Sequence, residues 1–288
     1  MKRNNDLCSD FEKLASEHYF EMSDGVKVRI LKFDLAEKPN ETILFFIPGF
    51  VTVFQSWEKV LKPLSKEFQI LYFESREKTS SIMPNRKTER QLTLQKMAHD
   101  IKEVIEQLEL DKKSYVTVCS STGGTIEVEA LSKKWLNPKG AVMVGPTMEY
   151  NMKFIATFMV SVVPEFVKRL FFPFFKWFMG AVYVNKKEHP EQYAKYIRAG
   201  KEAKMRKIRR VLWQMRHYQC WEMVPKIDTY CLLVGASEDK MHRTEATKRV
   251  YELLPNAKFI DLGTNEAAHD MPLVEEIKKF VQEINKKS

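Results

Sequence analysis

Glycine, proline and cysteine are scarce in this chain: its 288 residues include 10 Gly, 12 Pro and 4 Cys. So little glycine and proline excludes a collagen-like or low-complexity protein, and no repeat of fixed period is visible. Hydrophobic residues make up 44% of the sequence, which is enough for a large buried core. These properties predict an ordinary globular protein that forms one large domain or a core with an insertion.

The four cysteines are far apart in sequence and include no Cys-x-x-Cys pair. They are Cys8, Cys119, Cys220 and Cys231. This spacing supports neither a disulfide framework nor a structural zinc site. We therefore expect free thiols, and neither a metal nor a cofactor.

Long uncharged apolar runs are also absent. The most aromatic segment, residues 150–225, is interrupted by Glu165, Lys168 and Arg169 well short of the roughly 18 to 20 residues that a membrane span requires. The first ten residues carry basic side chains with no apolar stretch behind them, which does not support a secretory signal. These patterns favour a cytoplasmic location.

Negative charge is scarce in the same segment. Residues 150–225 contain fifteen Lys and Arg against five Asp and Glu, so they account for essentially the whole net charge of +9. The second half of the segment contributes Arg198, Lys201, Lys204, Arg206, Lys207, Arg209 and Arg210. Such a surplus indicates either a surface that contacts an anionic partner, for example a membrane, or simply a solvated basic face. No nucleic-acid-binding module is recognisable, so we expect no nucleic acid partner.

Short apolar runs alternate with amphipathic segments along most of the chain. Strands are predicted at 26–33, 42–48, 69–73, 115–120, 140–144, 229–234 and 258–261, and helices at 56–66, 92–108, 122–134, 245–254 and 273–284. This alternation predicts a mainly parallel sheet with helices on both faces. Residues 150–225 are helical in pattern, so we expect a core formed by 1–149 and 226–288 with a helical cap formed by 150–225.

One stretch of ten residues is typical of a catalytic nucleophile. Val116 to Thr125 reads Val-Thr-Val-Cys-Ser-Ser-Thr-Gly-Gly-Thr, a buried strand that runs into a turn centred on Ser121 and then into a helix. A serine nucleophile also needs a base and an acid that orients the base. His269 follows the last predicted strand, and Glu238 and Asp239 follow the strand before it.

These residues resemble the α/β-hydrolases, in which a Gly-x-Ser-x-Gly elbow is followed along the chain by an acid and then by histidine. Cys119 stands where the elbow has its first glycine. The resemblance covers nearly the whole chain and implies an α/β-hydrolase fold with a catalytic triad of Ser121, Asp239 and His269. Counting from Gly235 in the family's Gly-x-x-Asp pattern selects Glu238 instead as the acid. We prefer Asp239 and keep Glu238 as the alternative.

The resemblance also implies an oxyanion hole formed by two backbone amides. One would be the amide of Thr122, and the other that of Phe50, because Pro48-Gly49-Phe50 resembles the family's His-Gly-x motif. Glu74 to Ser81 resembles its Asp-x-Arg-Gly-x-Gly-x-Ser stretch, with Glu77 and Lys78 in the glycine-rich part. We assign Arg76 in that stretch no chemical step.

An aromatic cap above such a site favours esters with medium or long acyl chains, because ligand pockets are lined mainly by apolar surface. The sequence therefore predicts a serine esterase or lipase that acts on small-molecule or lipid esters. The same residues would also serve a thioesterase or an acyltransferase. A third alternative is a non-catalytic protein that binds a partner or an anionic membrane surface through the cap.

Overall fold

The computed structural model describes residues 8–151, 170, 172–174, 176–177, 180, 190–238 and 244–287, with the side chains of 190–192 excepted. Asp239, predicted to be the catalytic acid, lies outside these residues. So does much of the segment predicted to form the cap.

Eight strands form one mixed sheet in the order β1-β2-β4-β3-β5-β6-β7-β8. β1 and β2 pair antiparallel, as do β2 and β4, whereas all the pairs from β4 to β8 are parallel. The strands are β1 Ser16–Glu21, β2 Lys27–Phe33, β3 Ile43–Ile47, β4 Ile70–Glu74, β5 Tyr115–Ser120, β6 Gly140–Val144, β7 Cys231–Gly235 and β8 Ala257–Asp261. Parallel strands place their carboxyl ends at one edge, where sites of α/β proteins lie.

Helices cover both faces of the sheet. Those in the described part are α1 Asp10–Lys13, α2 Glu58–Leu64, α3 Leu94–Gln107, α4 Thr122–Ser132, α5 Pro190–Glu202, α6 Met205–Met215, α7 Thr244–Leu253 and α8 Met271–Lys287. The apolar sides of α3, α4, α6 and α7 contribute to one buried cluster, and those of α1, α2 and α8 to another. The expected three-layer fold, with a mainly parallel sheet between two helical layers, is confirmed.

The predicted strands and helices lie close to the observed ones, and β5 and β6 have the predicted bounds. The predictions missed β1 and the short helix α1. β1 is an edge strand in which no residue is fully buried, so it has no apolar alternation by which to recognise it.

The helices α5 and α6 belong to a segment inserted between β6 and β7. The two ends of this insertion meet, because Tyr150 donates a backbone hydrogen bond to Tyr218 (2.9 Å) and Cys220 donates one to Met148 (2.9 Å). Glu149 and Gln219 form an isolated antiparallel bridge between them. The division into a core and a cap of 150–225 remains a prediction.

Two of the basic residues that were expected on an exposed surface of the insertion are buried instead. Arg198 is 4% exposed and forms a two-pronged ion pair with Glu12, with 2.9 Å between Nη2 and Oε1. Lys207 is 3% exposed and donates to the backbone carbonyls of Arg76 (3.0 Å) and Lys78 (2.7 Å). Both side chains thus anchor the insertion to the rest of the protein, since charges are buried only where partners satisfy them.

Helix α4 carries a buried carboxyl group. Glu127 is fully buried, and neither of its carboxyl oxygens makes a well-formed hydrogen bond within the described part of the chain. Burial raises the pKa of Glu127 to about 7, against a smaller opposing effect from the Cys119 thiol and the Thr117 hydroxyl beside it.

We predict that Glu127→Gln stabilises the protein at alkaline pH. Between pH 4.5 and about 7 the unfolded chain releases the Glu127 proton while the folded chain retains it, so wild-type stability falls as pH rises through this window. Glutamine cannot ionise, and the variant should therefore gain on the order of 3 kcal/mol over wild type at pH 8.5 and little at pH 4.5. Urea denaturation at the two pH values measures the difference.

Glu129 provides a control on the same helix. It is also buried, but Lys133 and Tyr218 pair with its carboxylate. Glu129→Gln should destabilise the protein, because it breaks those contacts. A Glu127→Gln variant with the same pH dependence as wild type would contradict the assignment.

Candidate active site

Ser121 lies in a sharp turn between β5 and α4, at the carboxyl edge of the sheet. Its backbone angles, φ 47° and ψ −120°, are rare for a residue with a side chain and cost roughly 1 to 3 kcal/mol. The turn is held by hydrogen bonds from Ser121 N to Val144 O (3.1 Å) and from the amides of Gly124 (3.0 Å) and Thr147 (3.2 Å) to Ser121 O. This is the geometry of a nucleophile elbow.

The turn requires the two glycines that follow Ser121. A Cβ on Gly123 would lie 2.1 Å from the carbonyl oxygen of Ile47, at the end of β3, and one on Gly124 would lie 2.6 Å from Pro146 Cβ. No side chain fits at either contact without movement of the backbone or of a proline ring. The glycines thus let α4 begin directly against the ends of its neighbouring strands.

Cys119 is a buried β5 residue that fills the position of the elbow's first glycine. Burial beside Glu127 raises the pKa of its thiol well above the usual value, which keeps the sulfur protonated. A protonated, inaccessible thiol is not a nucleophile.

The loop after β3 lies directly against the serine. A Cβ on Gly49 would lie 3.2 Å from Ser121 Cβ. The two predicted oxyanion donors, the amides of Phe50 and Thr122, donate to no acceptor within the described ranges. Neither N–H group is therefore occupied by a described acceptor, and both could donate to a ligand.

His269 ends a short 3-10 turn, Ala267–His269, just before α8. Its ring lies against Trp57, with 4.7 Å between the ring centroids, and its Nδ1 is 2.9 Å from the carbonyl oxygen of Asn265. A carbonyl oxygen only accepts, so Nδ1 carries the proton of this hydrogen bond. In the neutral ring Nε2 then has the lone pair that a general base needs.

Of the two candidate acids, the structure describes only Glu238. It is exposed and makes a backbone hydrogen bond to Gly263 O (2.8 Å), while its carboxylate makes no hydrogen bond or ion pair within the described ranges. The assignments of Ser121, His269 and Asp239 as a triad, and of the Phe50 and Thr122 amides as the oxyanion hole, remain predictions.

A hydroxyl network that the sequence did not indicate surrounds the start of α4. Tyr150 Oη lies 3.0 Å from Thr122 Oγ1 and 2.8 Å from Thr125 Oγ1, and Ser121 Oγ lies 3.5 Å from Thr147 Oγ1. Burial raises the pKa of Tyr150 to about 12, so its hydroxyl stays protonated. Tyr150 thus connects the base of the insertion to the residues around the serine.

Arg76 is fully buried and has a structural role, in agreement with its exclusion from the chemistry. Its guanidinium bridges Asp100 on α3 (Nε to Oδ2, 2.5 Å) and Asp24 in the turn before β2 (2.9 Å). The neighbouring Lys78, for which no role was predicted, extends to the loop after β3 and donates to Gly49 O and Thr52 O, both at 2.9 Å. The only feature of the sequence that could have indicated this role is that Lys78 stands where the family's stretch is rich in glycine.

Among the described residues, no group of three His, Cys, Asp or Glu side chains is arranged to hold a metal ion. In the same part of the chain, no helix has the length and apolar character to cross a membrane.

Comparison with solved structures shows how widespread this fold is. The chain matches 1081 solved chains, so the fold does not by itself identify the reaction. An esterase of Thermogutta terrifontis has a TM-score of 0.71 and 17% identity over 94% of this chain and 99% of that one. An esterase of Exiguobacterium antarcticum has a TM-score of 0.71 and 16% identity over 93% and 100%. A bacterial membrane phospholipase A has a TM-score of 0.66 and 14% identity over 94% and 87%.

Comparison of sequences identifies the family. No curated protein matches the chain significantly. A sequence profile for a family of hydrolases described as serine aminopeptidase S33 matches residues 86–273, which is more than half of the chain and includes Ser121 and His269. The chain therefore belongs to the serine aminopeptidase S33 family of α/β-hydrolases.

Proposed function

We propose that this protein is a serine hydrolase of carboxylic esters with hydrophobic acyl chains. The observation that carries the proposal is the backbone of Ser121, whose strained turn exposes a serine at the carboxyl edge of the sheet with Gly49 packed against it. Strain of this kind persists only where the surrounding structure enforces it, and it is concentrated at functional sites.

In this mechanism Ser121 Oγ attacks the ester carbonyl and its proton passes to Nε2 of His269. The amides of Phe50 and Thr122 stabilise the negative charge that develops on the carbonyl oxygen. His269 then gives the proton to the leaving alcohol. In the second half of the reaction His269 takes a proton from water, the water attacks the acyl-enzyme, and His269 returns the proton to Ser121 Oγ as the acid is released. Asp239 stabilises the imidazolium, while the Asn265 carbonyl holds the ring in the required tautomer.

Exposed apolar side chains of the insertion support an acyl substrate. Leu170, Phe174 and Trp177 are 72%, 60% and 61% exposed and follow one another at spacings of four and three residues. Large apolar residues exposed together are typical of lipid or partner contacts. The esterases and the membrane phospholipase A among the structural neighbours favour the same substrate class. We therefore include peripheral contact with an anionic membrane in the proposal. Arg198 and Lys207 would not take part in that contact, because their side chains are buried.

Replacement of Ser121 tests the proposal. Ser121→Ala should lower kcat on p-nitrophenyl esters by at least about a thousandfold and abolish labelling by a fluorophosphonate, because no nucleophile remains. Ser120→Ala is the matched control: the adjacent serine ends β5 and is buried, so this variant should retain activity and labelling.

A substrate panel then defines the bond that is cleaved. It contains p-nitrophenyl esters of increasing acyl length, a lysophospholipid, an acyl-CoA and an aminoacyl p-nitroanilide, the last because of the family's aminopeptidase name. Turnover confined to acyl-CoA or to the anilide would contradict the ester assignment. Salt-sensitive binding to anionic vesicles that survives Ser121→Ala, with no turnover of any substrate, would favour the non-catalytic alternative.

Replacement of each acid distinguishes Asp239 from Glu238. Asp239→Asn should lower kcat by about a hundredfold to ten-thousandfold, because a neutral amide no longer stabilises the His269 imidazolium. Glu238→Gln should remain near wild type, since the Glu238 side chain is exposed. Steady-state kinetics on the preferred ester measures both, and the reverse pattern would assign the role to Glu238.

A further inference from the structure

Lys78 connects two loops at the carboxyl edge of the sheet. It belongs to the loop after β4, and its Nζ donates to Gly49 O and Thr52 O in the loop after β3, both at 2.9 Å. Its side chain is only 12% exposed, and Glu77 Oε1 lies 3.4 Å away. These are charge-assisted hydrogen bonds from a mostly buried ammonium group, and such bonds are stronger than those at the surface.

The first acceptor belongs to the same peptide group as a proposed oxyanion donor. Gly49 O and Phe50 N–H are the two ends of one planar peptide, and no cis peptide bond occurs in the described ranges. The two ends of a trans peptide point in opposite directions, so an ammonium group that fixes Gly49 O also fixes the direction of Phe50 N–H. It polarises the peptide as well, which makes that N–H a better donor.

The loop needs such support because it is strained. Val51, immediately after Phe50, has φ 58°, which is rare for a β-branched residue. The two carbonyls that Lys78 binds flank Val51 in sequence, so their hydrogen bonds hold both sides of the strained residue. A cavity of about 460 Å³ lies against Val51, Thr52, Val53 and Phe54, so packing on that side is incomplete.

Lys78 is itself held in place from the insertion. Lys207 on α6 donates to the carbonyls of Arg76 (3.0 Å), Lys78 (2.7 Å) and Ser81 (3.3 Å), and to the Ser81 hydroxyl. These contacts fix the backbone from which the Lys78 side chain extends, so its ammonium group meets the loop after β3 in a defined position.

We propose that Lys78 is a positioning residue that orients and polarises the Gly49–Phe50 peptide toward the substrate oxyanion. The inference rests on the proposed function, and it assigns a role to a lysine in a stretch where the family that this chain resembles is rich in glycine. Lys78 acts through the peptide and touches no reacting atom.

Lys78→Met tests the inference, because methionine retains an unbranched apolar stem and removes the ammonium group. We expect kcat on the preferred ester to fall by about tenfold to a hundredfold with KM within about threefold, because the interaction acts on the transition state. An alkyl trifluoromethyl ketone provides a second measurement. Ser121 Oγ adds to its carbonyl carbon, the serine proton passes to His269 and the carbonyl oxygen becomes an oxyanion, so its inhibition constant should rise in parallel with the loss in kcat.

Two further variants complete the series. Lys78→Arg, which retains the charge, should recover part of the lost kcat. Lys204→Met is the matched control, since Lys204 lines the same cavity but donates to Thr79 O at 3.5 Å and not to the loop after β3. It should match wild type in kcat and in inhibition by the ketone.

The outcomes separate the inference from the proposed function. Wild-type protein without turnover or fluorophosphonate labelling would overturn the proposed function before any Lys78 variant is measured. With active wild type, a folded Lys78→Met variant of unchanged kcat, or one that changes KM alone, would overturn only the role of Lys78. If Lys78→Met does not fold, Lys78→Gln replaces it, and failure of both to fold would show that Lys78 serves stability rather than orientation.

Discussion

The site depends on how closely α4 approaches the ends of the strands beside it. Gly123 meets the carbonyl of Ile47 at a distance that excludes even one methyl group, and Gly124 meets Pro146 in the same way. Because the helix begins so near the sheet, the chain turns within a single residue, and Ser121 takes up the resulting strain. The same close packing places the loop after β3 against the serine. The position of the proposed nucleophile and of its neighbouring amides therefore results from one steric constraint.

Buried cations organise the layer above this turn. Arg76 connects the loop after β4 to α3, Lys78 connects that loop to the loop after β3, and Lys207 connects it to α6. Burial lowers the pKa of Lys207 to about 7, whereas its three carbonyl acceptors and the Ser81 hydroxyl favour the charged ammonium form, which has three N–H donors. Desolvation thus favours the neutral amine of Lys207, whereas its hydrogen bonds favour the charged ammonium group. Removal of the insertion or of its lysine would take one donor from each of these three carbonyls, of which those of Arg76 and Lys78 also accept from Ser81.

The sequence predicted most of the fold because the central strands are continuously apolar and the helices amphipathic, and both patterns reflect burial directly. β1 was not predicted, because an exposed edge strand has no such pattern. Ser121 and the two glycines after it were recognisable because the turn restricts which residue types fit. Lys78, Tyr150 and the Asn265 carbonyl were not, because their roles depend on contacts between segments far apart in the chain. The prediction that Arg198 and Lys207 are exposed was wrong for a related reason. A charged residue in an amphipathic helix is usually solvated, and only the tertiary structure reveals a buried partner.

Three basic side chains of the insertion pair with the rest of the protein, which changes how the positive charge of the insertion is interpreted. Its net positive charge suggested an outward surface, yet Arg198 binds Glu12, Lys207 binds the loop of Lys78, and Arg206 pairs with Glu89 at 2.5 Å. These contacts attach α5 to α1, and α6 to the loop after β4 and to the short turn Thr88–Gln91. Rotation of the two helices away from the core would break ion pairs that are partly or fully buried, which is costlier than breaking surface pairs. Helix α6 is therefore part of the framework that holds the loop after β4, and the proposed contact of the insertion with lipid or substrate would be made by exposed apolar residues such as Leu170 and Trp177.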